Sequence, residues 1–325
     1  MYEIPGNSAI FERRPSRRRK RLLRVILAVS LVAAVGVTAF GVPALYRSVR
    51  ARNPEIPSEE SILAAWNAKD YDGVLSLSGE GLARIPLDPF RLVLSGFASF
   101  YRGVGESDGE IRLKYMDDAI FSLRKALTFP SVPFRSQVDY VLGKAYYQKG
   151  PYYMDEAVRF LDAAIQDSET RGEPPPQDIL EYSAVAYSIL GEPVRSVAAF
   201  EKALARGKTD LLLLAAARAY DLNGQKDKAE ISALDALSLT EDSLVREKAR
   251  FLLGALYLER KDFKLAEEQY NLILEMNPES ADAHYHLGLI WQEKGDPVRA
   301  RAAWRKAVSL DPMHTAARQK LAERI

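Results

Sequence analysis

The chain has 325 residues, 47% hydrophobic and 27% charged, too apolar for wholesale disorder and long enough for one large or two ordinary folded units. Its formal charge of +1 hides a division, because residues 1–52 hold eleven Lys/Arg against Glu3 and Glu12, a net of +9, which leaves −8 for the remainder. With no cysteine, disulfides, Cys-ligated zinc, a thiol nucleophile and a lipid-bearing cysteine are all excluded.

Residues 1–24 read as a basic cytoplasmic leader ending in "RRPSRRRKRLLR" (Arg13 to Arg24). "VILAVSLVAAVGVTAFGVPALY" (Val25 to Tyr46) follows without a single charge. At a rise of about 1.5 Å per residue this run spans roughly 33 Å as a helix, enough for the hydrocarbon core of a bilayer. The spacing therefore predicts a transmembrane helix, a signal anchor, over 25–46. Gly36, Gly41 and Pro43 are tolerated in such spans, and Tyr46 sits at an interfacial position. Eight basic residues precede the run and Arg47, Arg50 and Arg52 follow it, so the positive-inside bias puts the amino terminus in the cytoplasm and the rest of the chain across the membrane. The competing reading is a cleaved signal peptide, with Val37, Thr38 and Ala39 as its small-residue processing site. Ahead of a span the arginine run is read as a topology determinant, and no nucleic-acid partner is expected.

After a linker over 47–57, one pattern recurs from about 58 to 312. Its faintest unit is "SILAAWNAKDYDGVLSL" (Ser61 to Leu77). The next uses Phe97, Ala98 and Tyr101, then Ala119, Leu123 and Ala126, with its inter-helix turn enlarged by about nine residues around "GVGESDGEIRL". A third carries Leu142, Gly143, Tyr146, Ala157, Leu161 and Ala164, and is followed by the insert "SETRGEPPPQD" (Ser168 to Asp178). Ala184 and Tyr187 with "GEPVRSVAAFEKAL" (Gly191 to Leu204) make a fourth, and Ala217, Tyr220, Ala229 and Ala236 a fifth. The clearest pair covers 247–280 and 281–314: "LGALYLERKDFKLAEEQY" (Leu253 to Tyr270) returns thirty-four residues later as "LGLIWQEKGDPVRARAAW" (Leu287 to Trp304).

Leu253, Gly254 and Tyr257 share one face of a helix, and Ala266, Tyr270 and Ile273 share one face of a second, so the two pack as a hairpin. The small residues mark where two backbones approach, and the rings fill the space beside them. Gly295 suits the end of the first helix, Asp296 the cap of the second and Pro297 its first turn. Beyond Pro312, residues 313–325 place Ala317, Leu321 and Ile325 on one face, as a terminal capping helix requires.

A thirty-four-residue helix-turn-helix with this small/aromatic code resembles the tetratricopeptide repeat. The resemblance implies an all-α, right-handed superhelical solenoid of six to seven hairpins, here preceded by one transmembrane helix. It also implies an inner groove lined by the first helix of each hairpin. Projected onto this chain, that lining is Gln137, Tyr140, Lys144, Tyr147, Glu181, Arg218, Phe251 and Tyr285, a surface suited to an extended or helical peptide. The Lys/Asn clamp with which one branch of the family grips carboxylate tails is not matched by Tyr140, Lys144, Glu181 and Val185.

No catalytic constellation, cofactor motif or metal motif emerges. Of the three histidines, His284 takes the place of the family's first-helix aromatic, His286 lies two residues on and points elsewhere, and His314 stands apart. The expected protein is a membrane-anchored scaffold, not an enzyme, with protein or peptide partners. Its layout resembles bacterial inner-membrane proteins whose periplasmic repeats assist translocating chains or hold envelope and flagellar machines. A soluble periplasmic binding protein or chaperone, after signal cleavage, is the alternative. Homo-oligomers are compatible with the exposed ends of a solenoid, but no residue demands one.

Overall fold

Charged and small residues punctuate the helices at regular intervals. Asp88, Asp108, Asp242, Asp262, Ser280 and Asp296 each stand just before a helix and accept a backbone N–H from its first turn. Pro89, Pro193 and Pro297 occupy first-turn positions, where no N–H is needed. The computed structural model describes residues 55–323; the predicted spanning segment 25–46, its leader and most of the linker lie outside them.

Among the described residues there are fifteen α-helices and no strand. They run as seven hairpins: α1 (Glu59–Asn67) with α2 (Tyr71–Leu82), α3 (Pro89–Val104) with α4 (Gly109–Ala126), α5 (Arg135–Gln148) with α6 (Met154–Thr170), α7 (Gln177–Ile189) with α8 (Pro193–Leu204), α9 (Asp210–Leu222) with α10 (Lys226–Leu239), α11 (Ser243–Glu259) with α12 (Phe263–Met276), and α13 (Ala281–Glu293) with α14 (Pro297–Leu310). A last helix, α15 (Thr315–Ala322), follows. Each hairpin packs internally and against the next, and α3, α5, α7, α9 and α11 also touch in succession, so the first helices form one continuous layer. This is the all-helical solenoid that the repeat pattern predicts. Among the described residues no helix is long and apolar enough to cross a membrane.

The close approaches fall where the small residues stand. A Cβ on Gly254 would lie 2.6 Å from the Tyr270 ring, and one on Gly288 would lie 2.2 Å from the Trp304 indole nitrogen, so each aromatic packs directly on bare backbone. Tyr270 and Trp304 are wholly buried. Helix α15 closes the stack by setting Ala317 and Leu321 against Ala300, Trp304 and Ala307 of α14. Neighbouring hairpins are tied by polar bonds from first-helix tyrosines: the Tyr257 hydroxyl donates to Glu230 at 2.9 Å, and Arg260 reaches Glu230 and Asp227 at 2.6 and 2.7 Å.

Two sequence expectations change. In the second hairpin the bare-backbone contact is at Gly96, whose Cβ would meet Leu123 at 2.5 Å, and not at Ala98. The extra residues of "GVGESDGEIRL" lengthen the helices instead of the turn: α3 runs to Val104, α4 begins at Gly109, and only Gly105 to Asp108 connect them. Asp108 explains this, because its carboxylate accepts from the N–H groups of Glu110 and Ile111 and so starts the helix early.

The turns of the two clearest hairpins differ by one residue type. Gly295 is left-handed at φ +76°, and Lys261 holds the same conformation at φ +61°. Both turns then close alike, with Asp296 N–H on Trp291 C=O and Asp262 N–H on Tyr257 C=O, each at 2.8 Å. A side chain in this region costs about 1–2 kcal/mol, and glycine gives back part of that gain through its freer unfolded state. Lys261→Gly is therefore expected to raise the urea midpoint, by about 0.5–1 kcal/mol of stability. An unchanged or lowered midpoint contradicts this reading of the turn.

Candidate functional site

Helix α5 carries Tyr140, Lys144 and Tyr147 at i, i+4 and i+7, so all three lie on one face. That face meets α7. The Tyr140 hydroxyl donates to the Asp178 carboxylate at 2.5 Å, and the Lys144 ammonium donates to the same oxygen at 2.9 Å and to the Tyr140 hydroxyl at 3.0 Å. Lys144 also sits 4.9 Å from the ring centres of Tyr140 and Tyr182 and 5.8 Å from that of Phe100 on α3. Three rings and one carboxylate thus surround a lysine whose side chain is only 13% exposed. Burial first, then the bond to Asp178, holds the Tyr140 hydroxyl well above its ordinary pKa. Tyr147 meets Tyr182 edge-on at 4.8 Å.

This floor extends toward the amino-terminal hairpins. Tyr101 on α3 stacks on Tyr71 of α2 at 5.6 Å, and Trp66 of α1 meets both rings and Phe97 within 6 Å. At its other margin the insert between α6 and α7 bends over α5: Gln137, Tyr140, Arg171, Pro174 and Pro176 border a cavity of about 200 Å³. Gln137 is exposed at this rim.

A second cluster forms on α11 and α13. Phe251 lies 6.0 Å from both Tyr270 and His286, His286 stacks on Tyr270 at 4.9 Å, and Tyr285 sits 5.2 Å from His286 and 5.0 Å from His314. Between the clusters stand half-buried Glu181 on α7 and exposed Arg218 on α9. The eight residues projected from the sequence thus occur on first helices, with Tyr140, Lys144 and Tyr147 in one cluster, Phe251 and Tyr285 in the other, and Gln137, Glu181 and Arg218 beside or between them. The sequence reading missed Trp66, Tyr71, Tyr101, Asp178, Tyr182 and His286. Asp178 was in principle detectable, because it lies thirty-four residues after Lys144, one repeat on.

The histidines have structural partners. His314 caps α15, its Nδ1 accepting the Ala317 N–H at 3.1 Å, with Nε2 3.2 Å from the Asp282 carboxylate. Burial holds His286 below its ordinary pKa, opposed by Asp282 and reinforced by His314. Among the described residues no group of three or more His, Asp or Glu side chains is arranged to hold a metal ion.

These shifts set a pH window. A histidine whose folded pKa lies below 6.5 contributes stability above that value and loses it as pH falls through the lowered pKa. A tyrosine raised from 10.0 contributes below 10.0 and loses it as pH climbs through its folded value; burial and then the bond to Glu230 push Tyr257 up to about 12. Tyr140, Tyr187 and Tyr270 are raised in the same direction, burial being the first cause in each. The expected urea-unfolding profile is flat between the reference values of 6.5 and 10.0, with loss on both sides. A steady decline from neutral to mildly alkaline pH contradicts it.

Comparison with known proteins follows the same geometry. Residues 247–280 and 281–314 each match a tetratricopeptide repeat model. Among solved structures, the C-terminal part of a tetratricopeptide repeat-containing protein from Cytophaga hutchinsonii is 17% identical with a TM-score of 0.58, over 82% of this chain and 100% of that one. YrrB, described as a tetratricopeptide repeat protein with an unusual peptide-binding site, is 20% identical with a TM-score of 0.47, over 61% of this chain and 96% of its own. MamA from Desulfovibrio magneticus is 18% identical with a TM-score of 0.48, over 57% and 99%. No curated protein sequence matches.

Proposed function

We propose that this tetratricopeptide repeat solenoid is a membrane-anchored scaffold that holds an extended segment of a partner protein along the layer of first helices. The observation that carries this reading is the pair of aromatic clusters around Tyr140 and Phe251. Both lie on the same layer, both present partly exposed rings, and both are fixed by contacts between neighbouring hairpins, Tyr147 on Tyr182 and Phe251 on His286. Rings held in place lose little freedom when a peptide settles on them, so their burial goes largely into affinity. No reaction is assigned to the surface: Lys144 pairs with Asp178, Asp221 with Lys226, its histidines pack or cap, and the role is that of a scaffold and not a catalyst.

The uncharged run 25–46 and the basic residues ahead of it support an anchor with the solenoid on the non-cytoplasmic side, the periplasm in a bacterial cell. A soluble exported form is the second reading, favoured by the small residues Val37, Thr38 and Ala39. Sequencing the amino terminus of the mature chain separates the two, since a start at Phe40 removes the anchor.

The binding reading is tested with photo-crosslinking side chains placed at Tyr140 and Phe251 in cells, against a control at Tyr152, which is 94% exposed in the turn between α5 and α6. Discrete crosslinked partners at the first two positions and none at the third are expected. Capture at Tyr140 and Phe251 no greater than at Tyr152 would overturn the groove as the working surface.

A further inference from the structure

The inner layer sorts its charges unevenly. On α5 and α7, Lys144 and Asp178 neutralise each other at 2.9 Å. Asp221 on α9 is held by Lys226 at 2.8 Å, and Asp282 on α13 faces His314 at 3.2 Å. Glu181 is also engaged within the fold. Arg218 on α9 and Lys248 on α11 differ. Both are exposed, and neither side chain has a hydrogen bond, ion pair or ring contact among the described residues.

Their positions give this meaning. Arg218 is one of the inner positions that the repeat resemblance projects, and on α9 it shares a face with Asp221 three residues on. Lys248 precedes Phe251 by three and stands on the inner row of α11, in the next hairpin, and α9 and α11 are in contact. Two unneutralised cations thus lie side by side in chain order between the Tyr140 cluster and the Phe251 cluster. Residues 53–325 carry a net −8, so this pair is a local reversal of sign. Free cations on an otherwise acidic body attract an anionic group and repel a cationic one, which fixes the register of a bound chain more than its total affinity.

We infer that the segment held by this groove carries an acidic side chain, Asp or Glu, opposite Arg218 and Lys248, between two aromatic or aliphatic anchors that rest on the Tyr140 and Phe251 clusters. The inference rests on the groove-binding reading above and specifies its occupant: an acidic-centred, apolar-flanked peptide of a partner protein.

The test uses the purified full-length chain and a phage-displayed library of random dodecapeptides as probe. Selection is run in parallel on the unaltered chain, on R218E/K248E and on Y140A/F251A, each checked for helical content and melting. On the unaltered chain the enriched peptides are expected to share a central Asp or Glu flanked by apolar residues. They are expected to weaken roughly tenfold or more on R218E/K248E, as for two solvent-facing charge pairs turned repulsive. The reversed chain is expected to select Lys or Arg at the same place. Peptides that need Tyr140 and Phe251 but lack an acidic centre, or bind R218E/K248E unchanged, would overturn the inference and leave the groove reading intact. Peptides indifferent to Y140A/F251A, or no enrichment at all, would overturn both.

Discussion

Trp304→Ala is expected to cost the carboxy-terminal hairpin about 3–5 kcal/mol, the range for truncating a buried large aromatic. The ring is wholly buried, its indole N–H donates to the Tyr285 carbonyl at 3.2 Å, and it lies between bare Gly288 and the alanines of α14 and α15. In a stack where each hairpin rests only on its neighbours, such a loss is local. Amide protection is therefore expected to fall across α13, α14 and α15 while α3 to α8 keep theirs, as hydrogen exchange read by mass spectrometry would show. Gly288→Ala is a companion from the other side of the contact: its methyl meets the indole at 2.2 Å, and overpacking of about 1–3 kcal/mol outweighs the gain in helix propensity of about 1 kcal/mol. Uniform loss of protection along the whole chain would mean that the hairpins do not act as separable units.

That contact also shows why so much of the architecture was legible in the sequence. A helix pair that touches backbone to ring needs a glycine on one side and an aromatic on the other, and a stack repeats the need at fixed spacing. Gly254 with Tyr270, and Gly288 with Trp304, are therefore readable without coordinates. The code fades where a different residue solves the same problem. In the second hairpin Leu123 replaces the ring and the glycine lies two residues from where Ala98 suggested. The extra residues between Tyr101 and Ala119, about nine more than separate Tyr257 from Ala266, read as an enlarged turn, yet Asp108 is an N-cap, and a capped polar stretch continues as helix.

The site was less legible for a related reason. The inner positions implied by the repeat resemblance gave Tyr140, Lys144 and Tyr147 on α5. They did not reveal what those residues do to one another across hairpins. Tyr182 stands one position off the row used for Glu181, yet it is the ring that meets both Lys144 and Tyr147. Lys144, projected as one residue of the groove lining, is spent internally on Asp178, and the uncommitted charge lies at Arg218, also projected, and at Lys248. The repeat resemblance implies which side chains look inward, but pairing between neighbours decides which of them remain available.

Lys144 itself then becomes the sharpest probe of how the floor is built. Lys144→Met keeps the length and apolar stem, so only the charge is removed; the expected cost is about 1–2 kcal/mol, from two charge-assisted bonds and the ring contacts. Asp178 is 43% exposed and keeps the Tyr140 hydroxyl as donor, which limits the damage. Lys144→Glu should be far worse, by about 3 kcal/mol or more, because it buries a second carboxylate beside Asp178 and sets it against three electron-rich rings. If the two variants unfold at the same urea concentration, electrostatics does not hold this floor and packing alone does. If they differ as expected, the charge has a consequence for binding as well. Tyr140 and Tyr182 are then locked by Lys144 and Asp178 before any partner arrives, and Lys144→Met should weaken groove binding through loosened rings.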